Sequence, residues 1–238
     1  MNHMLDRLAL SFDLQRQFAG NAAHELRTPL AMMQTKLELF TEEHSDVDAE
    51  TSKLVQFQID QVERLTSLVR TLLEMSNLQS VSRSDEIELA PLIDEILTDL
   101  TTLAEQKNIT LHQNCEDVHM IGSDTLIYRL LFNLIENAIK YNHSGGSVTV
   151  SMQQEDQQVL LHIADTGCGI PEKYRESIFQ PFFRVDKSRS RQMGGVGLGL
   201  ALVREIAVLH GGSVCVEPSS KDGTTFAVKL PLNGEKTE

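Results

Sequence analysis

Cysteine is scarce in this chain, and long apolar runs are missing from it. The three cysteines, Cys115, Cys168 and Cys215, include no C-x-x-C pair, so the sequence predicts neither a disulfide framework nor a zinc site. No apolar run approaches the roughly 20 residues that a membrane-spanning helix needs, and the N-terminus lacks the apolar core of a signal peptide. We therefore expect this sequence to fold in a reducing cytosol.

Positive charge is also in short supply. The chain has 21 Lys and Arg against 34 Asp and Glu, which gives a formal net charge of −13. Nonspecific binding to nucleic acid or to anionic lipid is therefore not expected, and any bound anion must be held by a local arrangement of donors. The 238 residues, 41% of them hydrophobic, are enough for two domains with real cores.

Strand signals and proline are rare before residue 79, where apolar residues recur at helical spacing. One such row is Leu26, Leu30, Met33, Leu37 and Phe40, and another is Leu65, Leu68, Leu72 and Met75. The polar segment 42–48 between them predicts the turn of a helical hairpin. A further row, Ile59, Val62, Val69 and Leu73, makes the apolar stripe too wide for one hairpin to cover. The pattern therefore predicts a dimeric four-helix bundle.

Short β-like runs alternate with helices after the polar stretch Ser80–Asp85. The candidate strands are Glu86–Leu89, Ile109–Asn114, Ser147–Gln153, Val159–Ala164, Ser213–Glu217 and Thr225–Leu230. The candidate helices are Pro91–Gln106, Asp124–Tyr141 and Leu198–His210, with Ser123 as the N-cap of the second and Gly211–Gly212 as the end of the third. This half of the chain is predicted to be a mixed α/β domain.

His24 is the first candidate for chemistry. At about 100° per residue it lies roughly 200° from Leu26 and 180° from Met33, so it faces away from the apolar stripe and is not a core residue. Glu25 follows it, and Thr28 lies one turn on along the same face. A carboxylate beside an attacking imidazole can accept its proton, so Glu25 is the candidate base. Pro29 predicts a helix kink just after this site.

A polar face marks the helix around residue 137. Asn133, Asn137, Lys140 and Tyr141 fall on one side of it, although a solvated stripe would look the same. Amide oxygen suits Mg²⁺, an ammonium suits phosphate, and a tyrosine ring can lie against a base.

Two glycine segments follow that polar face. Asp165, Gly167 and Gly169 end a candidate strand, where a carboxylate can accept from an adenine amine, although a plain turn is the alternative. The second segment, Gly195, Gly197, Leu198 and Gly199, opens a helix whose free amides can bind an anion. Its spacing is not that of a P-loop.

These segments, in this order, resemble those of the sensor histidine kinases. Phe18–Leu30 is similar to the H-box, and the later segments are similar to the N, G1, F and G2 boxes, with Phe179–Arg184 as the F-box. The resemblance covers roughly residues 1 to 232. It implies a phosphotransfer and dimerisation hairpin at 1–80, whose residues 1–15 form a signalling-helix connection. An ATP-binding domain of the fold shared with Hsp90, type II topoisomerases and MutL would follow at 85–238.

The resemblance also implies roles for single residues. His24 would be the phosphoacceptor, Glu25 the general base, and Thr28 would position water when phosphate is removed from the partner. Asn137 would hold Mg²⁺, Lys140 would contact phosphate, and Asp165 would bind the adenine amine. The remaining nucleotide residues would be Asn133, Tyr141, Gly167, Gly169, Arg184, Gly195, Gly197, Leu198, Gly199 and Thr225. A basic segment, Val185–Gly194, would close over ATP with Lys187, Arg189 and Arg191.

The implied function is autophosphorylation of His24 by ATP·Mg²⁺, followed by transfer to an aspartate of a response-regulator receiver domain. A homodimer is expected, without a nucleic-acid partner. The resemblance places this portion in the cytoplasm, in a parent protein anchored in the bacterial inner membrane by segments outside this chain. Two alternatives stay open: a nucleotide-binding scaffold or phosphatase-biased regulator, and an ATPase of the chaperone or topoisomerase type.

Overall fold

The computed structural model describes residues 2–44, 47–185, 196–218 and 223–233, without the side chains of residues 2–19, 21, 23 and 24. The chain divides into two compact units at residue 80. Helices alone build the first unit, and the second combines helices with β-sheet. No helix within the described ranges is both long and apolar enough to span a bilayer.

The first unit is a helical hairpin, as the sequence predicts. Helix α1 spans Asn2–Glu43 and α2 spans Ala49–Asn77. Asp48 caps α2, since its Oδ1 accepts the N–H groups of Glu50 and Thr51 at 2.9 Å. Those bonds, that of Thr51 first, hold the pKa of Asp48 below its usual value. Helix α1 continues through Pro29, and the bend expected there stays a prediction.

The contact between α1 and α2 uses one of the two predicted apolar rows of α2. Val62, Val69 and Leu73 are buried with Leu30, while Leu37 and Leu72 pack partly against them. Leu65, which belongs to the other row, is 48% exposed. At 100° per residue the centres of the two rows lie about 115° apart around α2, and both rows are apolar, so periodicity alone does not decide which one meets α1.

Thr66 interrupts this apolar contact. Its Oγ1 is buried and has no hydrogen-bond partner among the residues that the structure describes. An unsatisfied buried hydroxyl costs about 1–3 kcal/mol. We expect Thr66→Val, which keeps the shape, to raise the free energy of unfolding by about 1 kcal/mol in urea denaturation at fixed protein concentration. The control is Thr71→Val, because Thr71 Oγ1 already donates to the Ser67 carbonyl at 3.0 Å. The prediction is contradicted if the free energy of unfolding rises no more in Thr66→Val than in Thr71→Val.

The second unit is a mixed α/β domain, as predicted. Its strands and helices, in chain order, are β1 (Asp85–Glu88), α3 (Leu89–Gln106), β2 (Thr110–Cys115), β3 (His119–Gly122), α4 (Asp124–Lys140), β4 (Ser147–Glu155), β5 (Gln158–Asp165), α5 (Gly199–Leu209), β6 (Ser213–Val216) and β7 (Thr224–Pro231). The six predicted strands are present, each shifted by two residues at most. The predicted stop of α5 is confirmed, since Gly211 adopts φ +70° directly after the helix.

The main sheet places the end of β5 beside the start of β7. Its strand order is β2-β4-β5-β7-β6, in which only β2 and β4 run parallel, and β1 and β3 form a separate antiparallel pair. Alternate residues such as Val148, Val150 and Met152 are buried on the face that the helices cover. The register pairs Asp165, the last residue of β5, with Thr224, the first of β7.

Two boundaries in this unit correct the prediction. Leu89 belongs to α3 rather than to the preceding strand, and it is fully buried. Proline at position 91 suggested a later helix start, but the first turn of a helix tolerates proline because its N–H groups have no intrahelical partner. Strand β3 was not predicted, since it has only four residues and depends on pairing with β1.

The predicted start of α4 at Asp124 is confirmed, but its capping bonds do not come from the Ser123 side chain. Ser123 occupies the N-cap position but makes no side-chain capping bond. Instead, Asp85 Oδ2 accepts the Asp124 N–H at 3.2 Å, and His210 Nε2 accepts the Ser123 N–H at 3.1 Å. His210 is buried, and its Nδ1 lies 2.9 Å from the Ile206 carbonyl. The ring is therefore neutral with its proton on Nδ1, and it joins the start of α4 to the end of α5.

This arrangement makes stability depend on pH. Burial lowers the pKa of His210, as does the nearby charge of Arg83, while the bond to Ile206 acts in the opposite direction. Because the pKa of His210 is lower in the folded protein, its full contribution to stability is present above about pH 6.5, its pKa in the unfolded chain. That contribution is lost as the pH falls below this value. We expect the free energy of unfolding to fall more steeply between pH 7 and 5.5 in the wild type than in His210→Gln. An equal fall with pH in the wild type and in His210→Gln would refute the assignment of His210 as a buried neutral ring.

Candidate functional site

Asp165 is the centre of the candidate site in the α/β unit. Its Oδ1 accepts the N–H of Gly167 at 2.8 Å and the N–H of Thr224 at 3.2 Å. Burial raises the pKa of this carboxyl, and the bonds from Gly167 and Thr224 oppose the rise. One oxygen is thus fixed by the backbone from two sides, which orients the carboxylate for a ligand donor at its other oxygen.

The β7 residue that bonds Asp165 is Thr224, which comes directly before the predicted pocket residue Thr225. Thr225 was predicted to line the pocket, but in the register it pairs with Ala164, and the bond to Asp165 comes from Thr224. Successive side chains of a strand point to opposite faces, so a shift of one residue changes the face. Thr224 is buried, whereas Thr225 is partly exposed.

The turn after Asp165 leaves no room for a side chain at Gly167. A Cβ atom on Gly167 would overlap the carbonyl oxygen of Tyr141 and lie 2.9 Å from the Asp165 carboxylate. The Cys168 N–H donates to the same Tyr141 carbonyl at 3.3 Å. The turn after β5 is therefore packed directly on the end of α4, and Gly169 follows with φ +67°.

The predicted polar face of α4 is present, and its residues have different environments. Asn133 Nδ2 donates to the Arg129 carbonyl at 2.7 Å, and its Oδ1 faces Gly199 at the start of α5. Lys140 pairs with Glu136, its Nζ 2.9 Å from the carboxylate oxygen. The Tyr141 side chain is 37% exposed at the end of the helix. Asn137 lies between these residues and is partly exposed.

The F-box segment and the second glycine segment are joined by a backbone bond. The Phe182 N–H donates to the Gly197 carbonyl at 2.8 Å. Gly197 has φ +81°, and a Cβ there would lie 2.9 Å from the Phe183 carbonyl oxygen. Leu198 is buried, and Arg184 is partly buried. Gly195, Lys187, Arg189, Arg191 and most of the predicted closing segment lie outside the described residues.

Asn142 contributes to the site and was not predicted. Its Oδ1 accepts the His143 N–H at 2.9 Å and the Thr166 hydroxyl at 3.1 Å, and its Nδ2 donates to the Ser147 carbonyl at 2.9 Å. These bonds fasten the loop after α4 to the turn after Asp165. Asparagine at a helix end before a Ser-Gly-Gly run was an available signal.

The predicted phosphoacceptor segment lies in α1. Glu25 and Thr28 are exposed, and His24 is helical. The His24 side chain lies outside the described part of the chain, so its outward direction stays a prediction. The two predicted residues beside it are accessible to a ligand.

The amide oxygen of Asn137 is a suitable ligand for a magnesium ion. The described ranges contain no cluster of three or more His, Cys, Asp or Glu side chains that could hold a metal. Mg²⁺ in phosphoryl-transfer sites keeps several waters and takes oxygens from the substrate phosphates, so it needs few protein ligands. The single partly exposed amide of Asn137 matches that requirement.

Comparison with known proteins identifies both units. Residues 14–81 match the His Kinase A (phospho-acceptor) domain, and residues 122–234 match the histidine kinase-, DNA gyrase B- and HSP90-like ATPase family. The chain belongs to the sensor histidine kinases. This confirms the resemblance of the sequence motifs and the predicted order of a helical hairpin followed by an α/β ATPase-type domain.

Several sensor histidine kinases align over nearly the whole chain. RppB of Synechocystis is 35% identical over 228 residues, which cover 93% of this chain and 50% of RppB. WalK of Bacillus subtilis is 33% identical over 233 residues, covering 94% and 38%. The histidine kinase ThkA, solved in complex with the response regulator TrrA, has a TM-score of 0.66 and 25% identity, covering 97% of this chain and 64% of ThkA. The chain spans half or less of the two curated relatives.

Proposed function

We propose that this histidine kinase transfers the γ-phosphate of ATP to His24 and then to an aspartate of a response-regulator receiver domain. Residues 1–80 act as the dimerisation and phosphotransfer domain, with 1–15 as its signalling connection, and residues 85–238 bind ATP. The observation that carries the proposal is the Asp165 carboxylate, held by two backbone amides in an ATPase-type domain. A phosphoacceptor-type domain accompanies it in the same chain.

ATP binding uses the residues grouped around Asp165. The carboxylate accepts from the adenine amine, and the exposed Tyr141 ring lies against the base. Lys140 exchanges its contact with Glu136 for a phosphate oxygen, and this partly exposed i,i+4 pair costs about 0.3–0.5 kcal/mol to break. The backbone amides of Gly197 and Gly199, at the start of the 11-residue helix α5, face the phosphates. Arg184 and Gly195 complete this set, with Asn133, Gly167, Gly169, Leu198 and Thr225 around it.

Asn137 holds Mg²⁺, which neutralises charge on the phosphates when it is bound. At the acceptor, Glu25 takes the proton from the imidazole of His24 while a ring nitrogen attacks the γ-phosphorus in line. A P–N bond forms, the P–O bond to ADP breaks, and ADP leaves. The receiver aspartate then attacks the same phosphorus and releases His24. Thr28 positions a water that removes phosphate from the partner.

The protein acts as a homodimer whose hairpins form a four-helix bundle. Leu26 and Met33 are 50% and 54% exposed along α1, and Leu65 is similarly open on α2. A single hairpin leaves these large apolar side chains uncovered, and a second copy of the same hairpin buries them.

The receiver partner is supported by ThkA, which was solved with the response regulator TrrA. The net charge of −13 supports the absence of a nucleic-acid partner. The cytoplasmic portion described by this chain belongs to a parent protein anchored in the bacterial inner membrane.

Incubation with γ-labelled ATP and Mg²⁺ tests this function. We expect label on the protein that is acid-labile and alkali-stable, as a phosphohistidine is, and its transfer to an added receiver domain. Nucleotide binding without label would support the scaffold alternative. Sustained ATP turnover without any phosphorylated protein would support the chaperone-type ATPase.

A further inference from the structure

Lys107 reaches across from α3 to the end of α4. It is the C-cap residue of α3, and its partly buried Nζ donates to the carbonyl of Lys140 at 2.5 Å. Burial, and then the charge of Lys140, lower the pKa of Lys107. The last carbonyls of a helix have no intrahelical donor and carry the negative end of its dipole, so an ammonium there is favourable.

The carbonyl next to the one that Lys107 binds also has a donor from another segment. The Lys140 carbonyl is bound by Lys107, and the next carbonyl, that of Tyr141, accepts the Cys168 N–H from the turn after Asp165. Two further bonds join the end of α3 to the loop after α4, from the Gly145 N–H to the Asn108 carbonyl at 2.9 Å and from the Thr110 N–H to the Gly146 carbonyl at 3.0 Å. The end of α4 is thus fixed between α3 and the Asp165 turn.

We propose that Lys107 is a positioning residue of the nucleotide site, which fixes the end of α4 so that Lys140 and Tyr141 keep their places beside the Asp165 turn. The inference rests on the proposed function, because Lys140 and Tyr141 matter as ATP contacts. Lys107 itself touches neither substrate nor reacting atoms in this scheme. Its contribution is to the placement of groups that bind ATP, so its loss weakens ATP binding and leaves the acceptor helix unaffected.

Replacement of Lys107 by methionine separates these effects. We expect Lys107→Met to raise the KM for ATP in the labelling reaction about three- to ten-fold, since a charge-assisted hydrogen bond is lost. The labelling rate at saturating ATP is expected to fall less than about two-fold. Lys107→Arg, which keeps a charged donor, is expected to restore the KM to within about two-fold of the wild type.

Lys229→Met is the matched control, because it removes one positive charge from an exposed position of the same unit. A KM for Lys107→Met equal to that of Lys229→Met, with only a lower melting temperature, would overturn the proposal and leave Lys107 a purely structural residue. Failure of Lys107→Arg to restore the KM would also overturn it. If the methionine variant does not unfold cooperatively, Lys107→Gln, which keeps a neutral donor, is judged by the same KM criterion. Wild-type protein without label would instead refute the proposed function, and calorimetric titration with ATP then decides Lys107 by binding alone.

Discussion

Glutamine in place of His24 is expected to remove the phosphoryl label while leaving ATP binding unchanged. A glutamine amide is not a nucleophile, so the protein loses its acceptor and labelling falls about a thousand-fold or more, to background. Asp165 and α4, where ATP is proposed to bind, lie in the other unit. Acid-labile label from γ-labelled ATP measures the first effect, and calorimetric titration with ATP measures the second.

His44→Gln is the matched control for that exchange. His44 is exposed just past the end of α1 and stacks on Phe40 with ring centroids 4.5 Å apart. The same chemical change there is expected to leave labelling within about two-fold of the wild type. Label that persists in His24→Gln, or that disappears in His44→Gln instead, would assign the acceptor to another residue.

Asparagine in place of Asp165 has the second largest expected effect. One oxygen of an asparagine can still accept from Gly167 and Thr224, but the remaining position then carries an NH₂ group. That donor would face the adenine amine, itself a donor, where the carboxylate supplies an acceptor. We expect the affinity for ATP to fall about 10- to 100-fold in calorimetric titration.

Inosine triphosphate, whose base carries an oxygen in place of the adenine amine, makes the test specific. The wild type is expected to prefer ATP strongly, and Asp165→Asn to lose most of that preference because its NH₂ can donate to the inosine oxygen. Asp156→Asn is the control, since Asp156 lies in the exposed β4–β5 turn at φ 54°, a conformation that asparagine tolerates. An equal loss of affinity for ATP and for inosine triphosphate in Asp165→Asn would show that Asp165 has only a structural role.

The sequence predicts most of this fold because its signals are local. The hairpin follows from apolar residues repeated over two long helices, and β4 and β5 follow from alternating burial that their side chains already encode. The choice between Val62 and Leu65 as the row that meets α1 is different. It depends on which face the other helix occupies, and both rows are equally apolar.

The site is predictable to a smaller extent, for the same reason. Asp165 and its glycines are adjacent in the chain, so their arrangement follows from local turn chemistry. The bond from Thr224 to Asp165 joins residues 59 apart, and the bonds from Ser123 to His210 and from Asp124 to Asp85 span 87 and 39 residues. Such partners are set by strand register and helix packing, which no local pattern contains.

The bond between Thr224 and Asp165 has a consequence for the newly made protein. During translation Asp165 is added 59 residues before Thr224. The nascent chain therefore contains Asp165, α4 and the glycine turn before the Thr224 N–H has been made. The Asp165 carboxylate, the proposed acceptor for adenine, therefore gains its second backbone donor only when the final strand has joined the sheet.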